Sequence, residues 1–313
     1  MRTAFLFPGQ GAQTVGMGAD IAQAFPAAAE LFEKANEIVG FDLRRMCFEG
    51  PADRLNSTTM SQPAIFVTSA ALLEILRTHS ATAHIKPEIT AGLSMGEYTA
   101  LYAAGIVSFE DGLRLVRKRG EAMQAAADAT EGAMVSIIGL DEPKVRQLCE
   151  EAREGELLEP VNFNCPGQIV VSGTLDACER AERLAEQHGA VKAIRLEVAG
   201  AFHTQMMSGA AETLRTALRE TQISEPGSIR TIANVDAEYY RTADGITEGL
   251  TRQLTSAILW QRCMERLLAD GVEQFYEIGP GRVLTGLMRR ISRKTKVINI
   301  SDLGSLEALI GQA

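Results

Sequence analysis

Cysteine is scarce and scattered in this chain, with five residues at positions 47, 149, 165, 178 and 263 and no CxxC pair. That spacing excludes the usual zinc-ligand patterns and offers no disulfide framework. Aromatic residues make up only 5% of the positions, with a single Trp. No uninterrupted apolar run reaches the ~18 residues of a membrane span. The richest stretch, residues 88–107, is broken by Ser94, Glu97 and Tyr98. At the N-terminus Arg2 leads directly into Ala4-Phe5-Leu6-Phe7 and Pro8-Gly9, which is not the layout of a signal peptide. Positive charge is the minority, 31 Lys+Arg against 40 Asp+Glu, for a formal net charge of -9. An acidic balance argues against general binding to nucleic acid or to anionic membranes. The expectation is a reduced, cytoplasmic protein with no metal, no membrane and no nucleic-acid partner. What is present is 313 residues, 46% hydrophobic and 23% charged, enough for one large domain or two smaller ones.

The chain has no internal repeat and no long linker, so organisation must be read from element order. A buried strand at 3–7 is followed by a Gly-rich loop and an amphipathic helix over 21–39. A helix at 64–77 and a buried strand at 88–92 come next, then an alanine-rich helical segment at 98–105. Helices at 110–127, 206–221 and 260–270 and strands at 274–278 and 297–300 continue the alternation. Strands interleaved with helices predict a mostly parallel sheet covered on both faces. Residues 132–198 have a different rhythm: strand 134–140, helix 142–152, strands 161–164 and 169–172 around Pro166-Gly167, helix 176–188, strand 191–198. That order, β-α-β-β-α-β, is the ferredoxin-like pattern. The division is therefore a large α/β domain, residues 1–128 and 199–313, with an inserted small domain, residues 129–198. A small domain laid over a large one leaves a cleft, the usual place for a substrate.

Gly92-Leu93-Ser94-Met95-Gly96 fits G-x-S-x-G between a predicted strand and a helix-prone segment. In that setting the glycines permit a sharp turn that lifts the Ser hydroxyl above the sheet, at a helix N-terminus. An ordinary strand-to-helix turn with Ser94 as its cap is the alternative. A serine nucleophile needs a base, and four histidines are available. His79, His84 and His188 fall in polar or charged surroundings. His203 lies instead in the small-residue segment Val198-Ala199-Gly200-Ala201-Phe202-His203-Thr204, which lets another group approach its imidazole closely. It is either that base or a buried structural histidine. No Asp or Glu stands in an evident third position, which leaves a triad and a dyad oriented by a backbone carbonyl both open.

Arg119 stands apart from its neighbours. Leu115, Arg119 and Met123 share one face of the 110–127 helix, while Arg114, Arg117, Lys118 and Glu121 lie on the solvated face. A guanidinium on an apolar stripe needs an anionic partner, either an internal carboxylate or a bound one. Gly9-Gln10-Gly11-Ala12-Gln13-Thr14 follows the first strand but lacks the third glycine of a dinucleotide fingerprint. Its glycines instead let the backbone near Gln10 come close to another group.

With these residues in hand, the sequence resembles the malonyl-CoA:acyl carrier protein transacylases of type II fatty-acid synthesis, relatives of polyketide synthase acyltransferase domains. The resemblance runs through Phe7-Pro8-Gly9-Gln10-Gly11-Ala12-Gln13, Ser61-Gln62-Pro63-Ala64, Gly92-Leu93-Ser94-Met95-Gly96-Glu97-Tyr98, Arg119-Gly120, Gly200-Ala201-Phe202-His203 and Gly279-Pro280-Gly281-Arg282-Val283-Leu284. It implies an α/β-hydrolase-like large domain carrying a ferredoxin-like insertion. It also implies that Ser94 is acylated, that His203 activates it, and that the amides of Gln10 and Met95 form the oxyanion hole. Arg119 would bind the malonyl carboxylate, with Phe202, Gln62 and Ser256 on the substrate side. Two positions depart from the family pattern. Leu93 replaces the usual His before the nucleophile, and because side chains flanking an elbow serine point away from its hydroxyl, the dyad should survive. Ser256-Ala257-Ile258-Leu259-Trp260 replaces Asn-Pro-Val before the Trp, and Ser256 is expected to supply the carbonyl that accepts from the imidazole.

The reaction so implied is a ping-pong transfer of malonyl from malonyl-CoA to the phosphopantetheine thiol of acyl carrier protein, with no cofactor and no metal. A serine esterase or thioesterase and a non-catalytic carrier-binding module are the rivals. Carrier proteins are generally acidic, so docking on an acidic enzyme calls for a local basic patch. Residues 289–296 hold five positive charges and no acid, with Arg290, Arg293 and Lys294 as docking candidates.

Overall fold

The structure, a computed structural model, describes residues 2–311. The chain opens with strand β1 (Arg2–Phe7), then α1 (Ala19–Ala24), α2 (Pro26–Val39), α3 (Leu43–Glu49), α4 (Ala52–Leu55) and α5 (Thr58–Thr78). Strand β2 (Ile89–Gly92), α6 (Gly96–Ala103) and α7 (Phe109–Asp128) complete the first half of the large unit. The small unit is β3 (Gly132–Ile138), α8 (Glu142–Arg153), β4 (Leu158–Cys165), β5 (Gln168–Thr174), α9 (Leu175–Leu184) and β6 (Lys192–Arg195). A 3-10 turn (Gln205–Met207) leads back through α10 (Ser208–Glu220), β7 (Arg230–Thr231), α11 (Ala243–Gln253), α12 (Trp260–Ala269), β8 (Val272–Ile278), α13 (Val283–Ile291), β9 (Val297–Ile300) and α14 (Leu303–Ile310).

The large unit has a five-stranded, all-parallel sheet in the order β7-β2-β1-β8-β9. Strand β1 lies at its centre and is apolar on both faces. Phe5 and Phe7 point into one core cluster, with Phe66 of α5 and Val116 of α7, while Ala4 and Leu6 point into another with Trp260 and Leu284. That two-sided burial is why the strand reads as a continuous apolar run rather than an alternating one. The small unit has a four-stranded antiparallel sheet, β4-β5-β3-β6, whose own core includes residues of α8 and α9. The two units are stitched together beside the site. Phe163 N–H donates to the Ile258 carbonyl at 2.9 Å and Ile258 N–H to that of Val161 at 2.7 Å.

Helices α3, α4, α11 and α14 and strand β7 have no counterpart in the sequence expectation, and the bounds of several expected elements shift, three of them with a clear physical reason. The helix expected over 21–39 is two helices, because Phe25 is extended (φ -126°, ψ 114°) and Pro26 starts α2 at its first turn. Helix α5 does not wait for Pro63 but begins at Thr58 and carries the proline inside it. A helix buried almost all round gains enough packing to tolerate the missing N–H. By length and composition α5 would also suffice to cross a membrane, which the break at Pro63 concealed; here it is a core helix. The last strand of the small unit is shorter than the expected 191–198, covering only Lys192–Arg195 at the sheet edge.

Candidate active site

Ser94 occupies the turn between β2 and α6 with φ 51°, a left-handed conformation that strains a non-glycine residue. The flanking glycines make the turn sterically possible: a Cβ on Gly92 would sit 1.9 Å from the Gly96 carbonyl, and one on Gly96 would sit 2.3 Å from that of Phe7. Asn234 clamps the strained turn from both ends. Its Oδ1 accepts from Ser94 N–H at 2.7 Å and its Nδ2 donates to the Gly92 carbonyl at 2.8 Å.

His203 also has a left-handed backbone, φ 63°, in the small-residue segment that leaves β6. Its Nε2 lies 3.0 Å from Ser94 Oγ and its Nδ1 lies 2.7 Å from the Gln253 carbonyl. A carbonyl can only accept, so Nδ1 carries the proton and Nε2 presents its lone pair to the serine hydroxyl. The arrangement is a dyad oriented by a backbone carbonyl, and that carbonyl belongs to Gln253 rather than Ser256. The reason is local: Gln253 is the last residue of α11, where helix carbonyls have lost their intrahelical partners, and it points at the imidazole. Ser256 lies three residues beyond, in the loop before α12. Burial drives the His203 pKa down to about 3, and the nearby Arg119 charge adds to that effect.

Arg119 sits on the buried face of α7, 1% exposed. Helices α5 and α7 cross closely here, since a Cβ on Gly120 would come 2.7 Å from the Thr58 carbonyl, and this puts the guanidinium against Gln62. Its three hydrogen bonds go to Gln62 Oε1 (2.8 Å), Ser94 Oγ (2.9 Å) and Gln253 Oε1 (3.0 Å). No carboxylate pairs with it, and its Nε has no acceptor among the described residues. The internal salt bridge left open by the helix pattern is therefore absent among the described residues.

These groups open into a cavity of about 430 Å³ between the two units, lined among others by Gln10, Ser94, Arg119, Asn162, Phe202 and His203. Gln10 lies on the loop after β1, which is pressed against the elbow: a Cβ on Gly9 would meet the Leu93 carbonyl at 2.3 Å. The amides of Gln10 and Met95 donate to no other group among the described residues. Leu93, the residue before the nucleophile, packs in the Trp260 cluster.

Three site residues were missed from sequence. Asn234, Gln253 and Glu97 form a buried polar layer beneath the nucleophile, and of them only Glu97 lies within a motif, which gave it no role. The basic segment lies on the surface: Arg293 and Lys294 are exposed. Arg290 is exposed too and also makes contacts within the protein. It donates to Gln168 Oε1 at 3.2 Å and to the carbonyls of Pro166 and Gly167 at 3.1 and 3.3 Å, tying α13 to the β4–β5 turn.

A strained serine, a neutral imidazole, free amides and an unpaired guanidinium in one cleft are the parts of an acyl-transfer site, and the comparisons agree. The acyl transferase domain profile matches residues 4–310. The chain is 43% identical over 310 residues to a malonyl CoA-acyl carrier protein transacylase of Bacillus subtilis (strain 168), covering 99% of this chain and 96% of the relative. It superimposes on an acyl carrier protein S-malonyltransferase of Vibrio cholerae with a TM-score of 0.93 at 39% identity, covering 99% of this chain and 100% of that one. It also matches a malonyl-transacylase solved in complex with its type II polyketide synthase acyl-carrier protein, at a TM-score of 0.95 and 37% identity over the whole of both chains. The parallel α/β architecture, the serine elbow and this span of similarity lead to one assignment: the chain belongs to the acyl transferase domain family and is an enzyme of the malonyl CoA-acyl carrier protein transacylase kind.

Proposed function

We propose that this enzyme moves a malonyl group from malonyl-CoA to the phosphopantetheine thiol of acyl carrier protein, in fatty-acid synthesis, through a malonyl-Ser94 intermediate. The observation that carries the reading is Arg119: a buried cation with no carboxylate partner and an unused Nε–H among the described residues, in hydrogen-bond contact with the nucleophile. A substrate carboxylate matches its planar fork.

In the first half-reaction Ser94 Oγ passes its proton to His203 Nε2 and attacks the thioester carbonyl. The oxyanion is held by the amides of Gln10 and Met95. Collapse of the tetrahedral intermediate breaks the C–S bond, and His203 returns the proton to the departing CoA thiolate. In the second half-reaction the carrier thiol gives its proton to His203 and attacks malonyl-Ser94. The C–O bond breaks and Ser94 recovers its proton. The Gln253 carbonyl stabilises the imidazolium formed in each half. Arg119 opposes that imidazolium until the malonyl carboxylate offsets its charge, so a substrate bearing a carboxylate also releases the base. Gln62 holds Arg119 in place, and Phe202 walls the cavity beside the acyl chain.

The side chains and amides named carry every step without metal or cofactor. The large unit, residues 1–128 and 199–313, reads as an α/β-hydrolase-like domain, and residues 129–198 as a ferredoxin-like insertion, supported by the β-α-β-β-α-β order and strand order β4-β5-β3-β6. Five free, buried cysteines suit a reducing cytoplasm. Arg290, Arg293 and Lys294, all exposed, form the carrier-docking patch, and Arg290 is in addition tethered to the β4–β5 turn. Intact-mass measurement after mixing with malonyl-CoA tests the reading. A malonyl adduct on Ser94 that is discharged by carrier protein supports transfer, fast release of malonate without an adduct supports a hydrolase, and no reaction supports a binding module.

A further inference from the structure

Beneath the dyad lies a carboxylate that the transfer steps do not use. Glu97, 1% exposed on the first turn of α6, is one of two fully buried acids among the described residues, the other being Glu277. Its Oε2 accepts from Gln253 Nε2 at 2.8 Å and from Asn234 N–H at 3.0 Å, and its Oε1 accepts from the Tyr240 hydroxyl. Both nitrogen partners belong to residues that touch reacting groups. Asn234 clamps the serine turn, and the Gln253 backbone carbonyl orients His203. The Gln253 side chain is further pinned by Nε2 donating to the Ser94 carbonyl at 3.0 Å and by Oε1 accepting from Arg119. One carboxylate thus anchors the two residues that set the positions of nucleophile and base.

Resting on the acyl-transfer reading above, we propose that Glu97 is a positioning residue of the reaction, which through Gln253 and Asn234 holds the His203 imidazole and the Ser94 turn in register. The carboxylate form suits this role because all three of its partners donate. Protonated Glu97 would bring a fourth donor among three, and one contact must then reverse or break. Burial raises its pKa to about 7, opposed by the hydrogen bonds from Tyr240, Asn234 and Gln253 and by Arg119. The other titratable groups around it do not change charge in that range. Tyr98 on the same helix, Tyr240 and Cys263 of α12 are held neutral by burial, and His203 is pushed far lower. Arg119 stays cationic, and Asp236, on the turn before Tyr240, is exposed. In the neutral range Glu97 is therefore the group that titrates, and catalysis should weaken as pH falls through about 7.

The test uses the full chain and two variants, read by steady-state malonyl transfer and by mass measurement of Ser94 acylation. Glu97→Ala is expected to lower kcat at pH 8 by about tenfold or more, the scale on which loss of a functional ligand's outer partners is felt, with a smaller change in KM. Glu97→Gln keeps an acceptor for Gln253 and Asn234 and can turn its amide to the Tyr240 oxygen. It should recover most of that kcat and lose the acid limb near pH 7. Parental kcat in Glu97→Ala, or a Glu97→Gln profile with the parental acid limb, overturns the proposal. If Glu97→Ala does not fold, the Glu97→Gln profile alone decides. Parent protein that takes up no malonyl group at Ser94 refutes the acyl-transfer reading instead, which the variants alone cannot do.

Discussion

The cleft around Ser94 and the surface at 289–296 both concentrate charge, yet they are built on opposite principles. In the cleft the reacting side chains Ser94, His203 and Arg119 are each fixed by hydrogen bonds to named partners, so a displacement of an ångström breaks a contact. On the surface Arg293 and Lys294 stand in water, where one cation can replace another. Arg290 shows how misleading shared sequence context is, since it belongs to the same basic run but spends its donors on the Pro166–Gln168 turn. Charge in a low-dielectric cleft acts through geometry, and charge in water acts through a screened field. The two regions should therefore respond very differently to substitution.

The sharpest break is at the nucleophile. Ser94→Ala should abolish the malonyl adduct in intact-mass spectra, and an adduct mapped to any other residue removes the cleft from the argument. Next, His203→Ala should slow Ser94 acylation by at least ~10²-fold, the usual scale for a lost general base. Stopped-flow detection of released CoA measures it, and a loss below threefold would leave His203 a structural residue.

Arg119→Ala should lower kcat/KM for malonyl-CoA by roughly ten- to a hundredfold, because hydrogen bonds to charged groups contribute about 1.5–3 kcal/mol. Acetyl transfer should be spared or raised, since acetyl has no carboxylate and the neighbouring imidazolium loses a repelling charge. Equal losses for both acyl groups would make Arg119 a packing residue.

Smaller still is the pH effect on the base. His203 is depressed to about 3, so its imidazole should remain neutral in the folded protein well below pH 6. The unfolded chain binds that proton below about 6.5. The contribution of His203 to stability is then fully present above pH 6.5 and lost as pH falls toward 3, the sign expected when the unfolded state takes up more protons. NMR titration of the imidazole in Ser94→Ala protein checks this, and a midpoint near 6.5 would contradict the buried, cation-facing site. The smallest change belongs to the surface. Reversing Arg293 and Lys294 to Glu should slow the carrier half-reaction about three- to tenfold at low salt and flatten its salt dependence, leaving acylation by malonyl-CoA nearly unchanged. Equal losses in both half-reactions would move the patch from carrier docking into the fold. Reversing Arg290 alone should instead lower thermal stability, which separates the tethered cation from the free ones.

What the sequence by itself determined is whatever depends on short-range constraint. Gly92 and Gly96 announce a turn only glycines can close, the apolar run at β1 announces a doubly covered strand, and the spacing of Leu115, Arg119 and Met123 puts one arginine on the buried face. His203 stood out because its neighbours are small while the other three histidines sit among polar groups. What only the tertiary structure decided is which distant groups meet. Gln253 rather than Ser256 orients the imidazole because α11 happens to end there, with a free carbonyl aimed across the cleft. Asn234 reaches the serine turn from 140 positions away, and Glu97 joins the two through side chains that carry no periodicity of their own. Buried polar contacts of this kind form where backbone groups and side chains from separate elements would otherwise lose their hydrogen bonds to water, a requirement set by the packed interior and not by any local pattern.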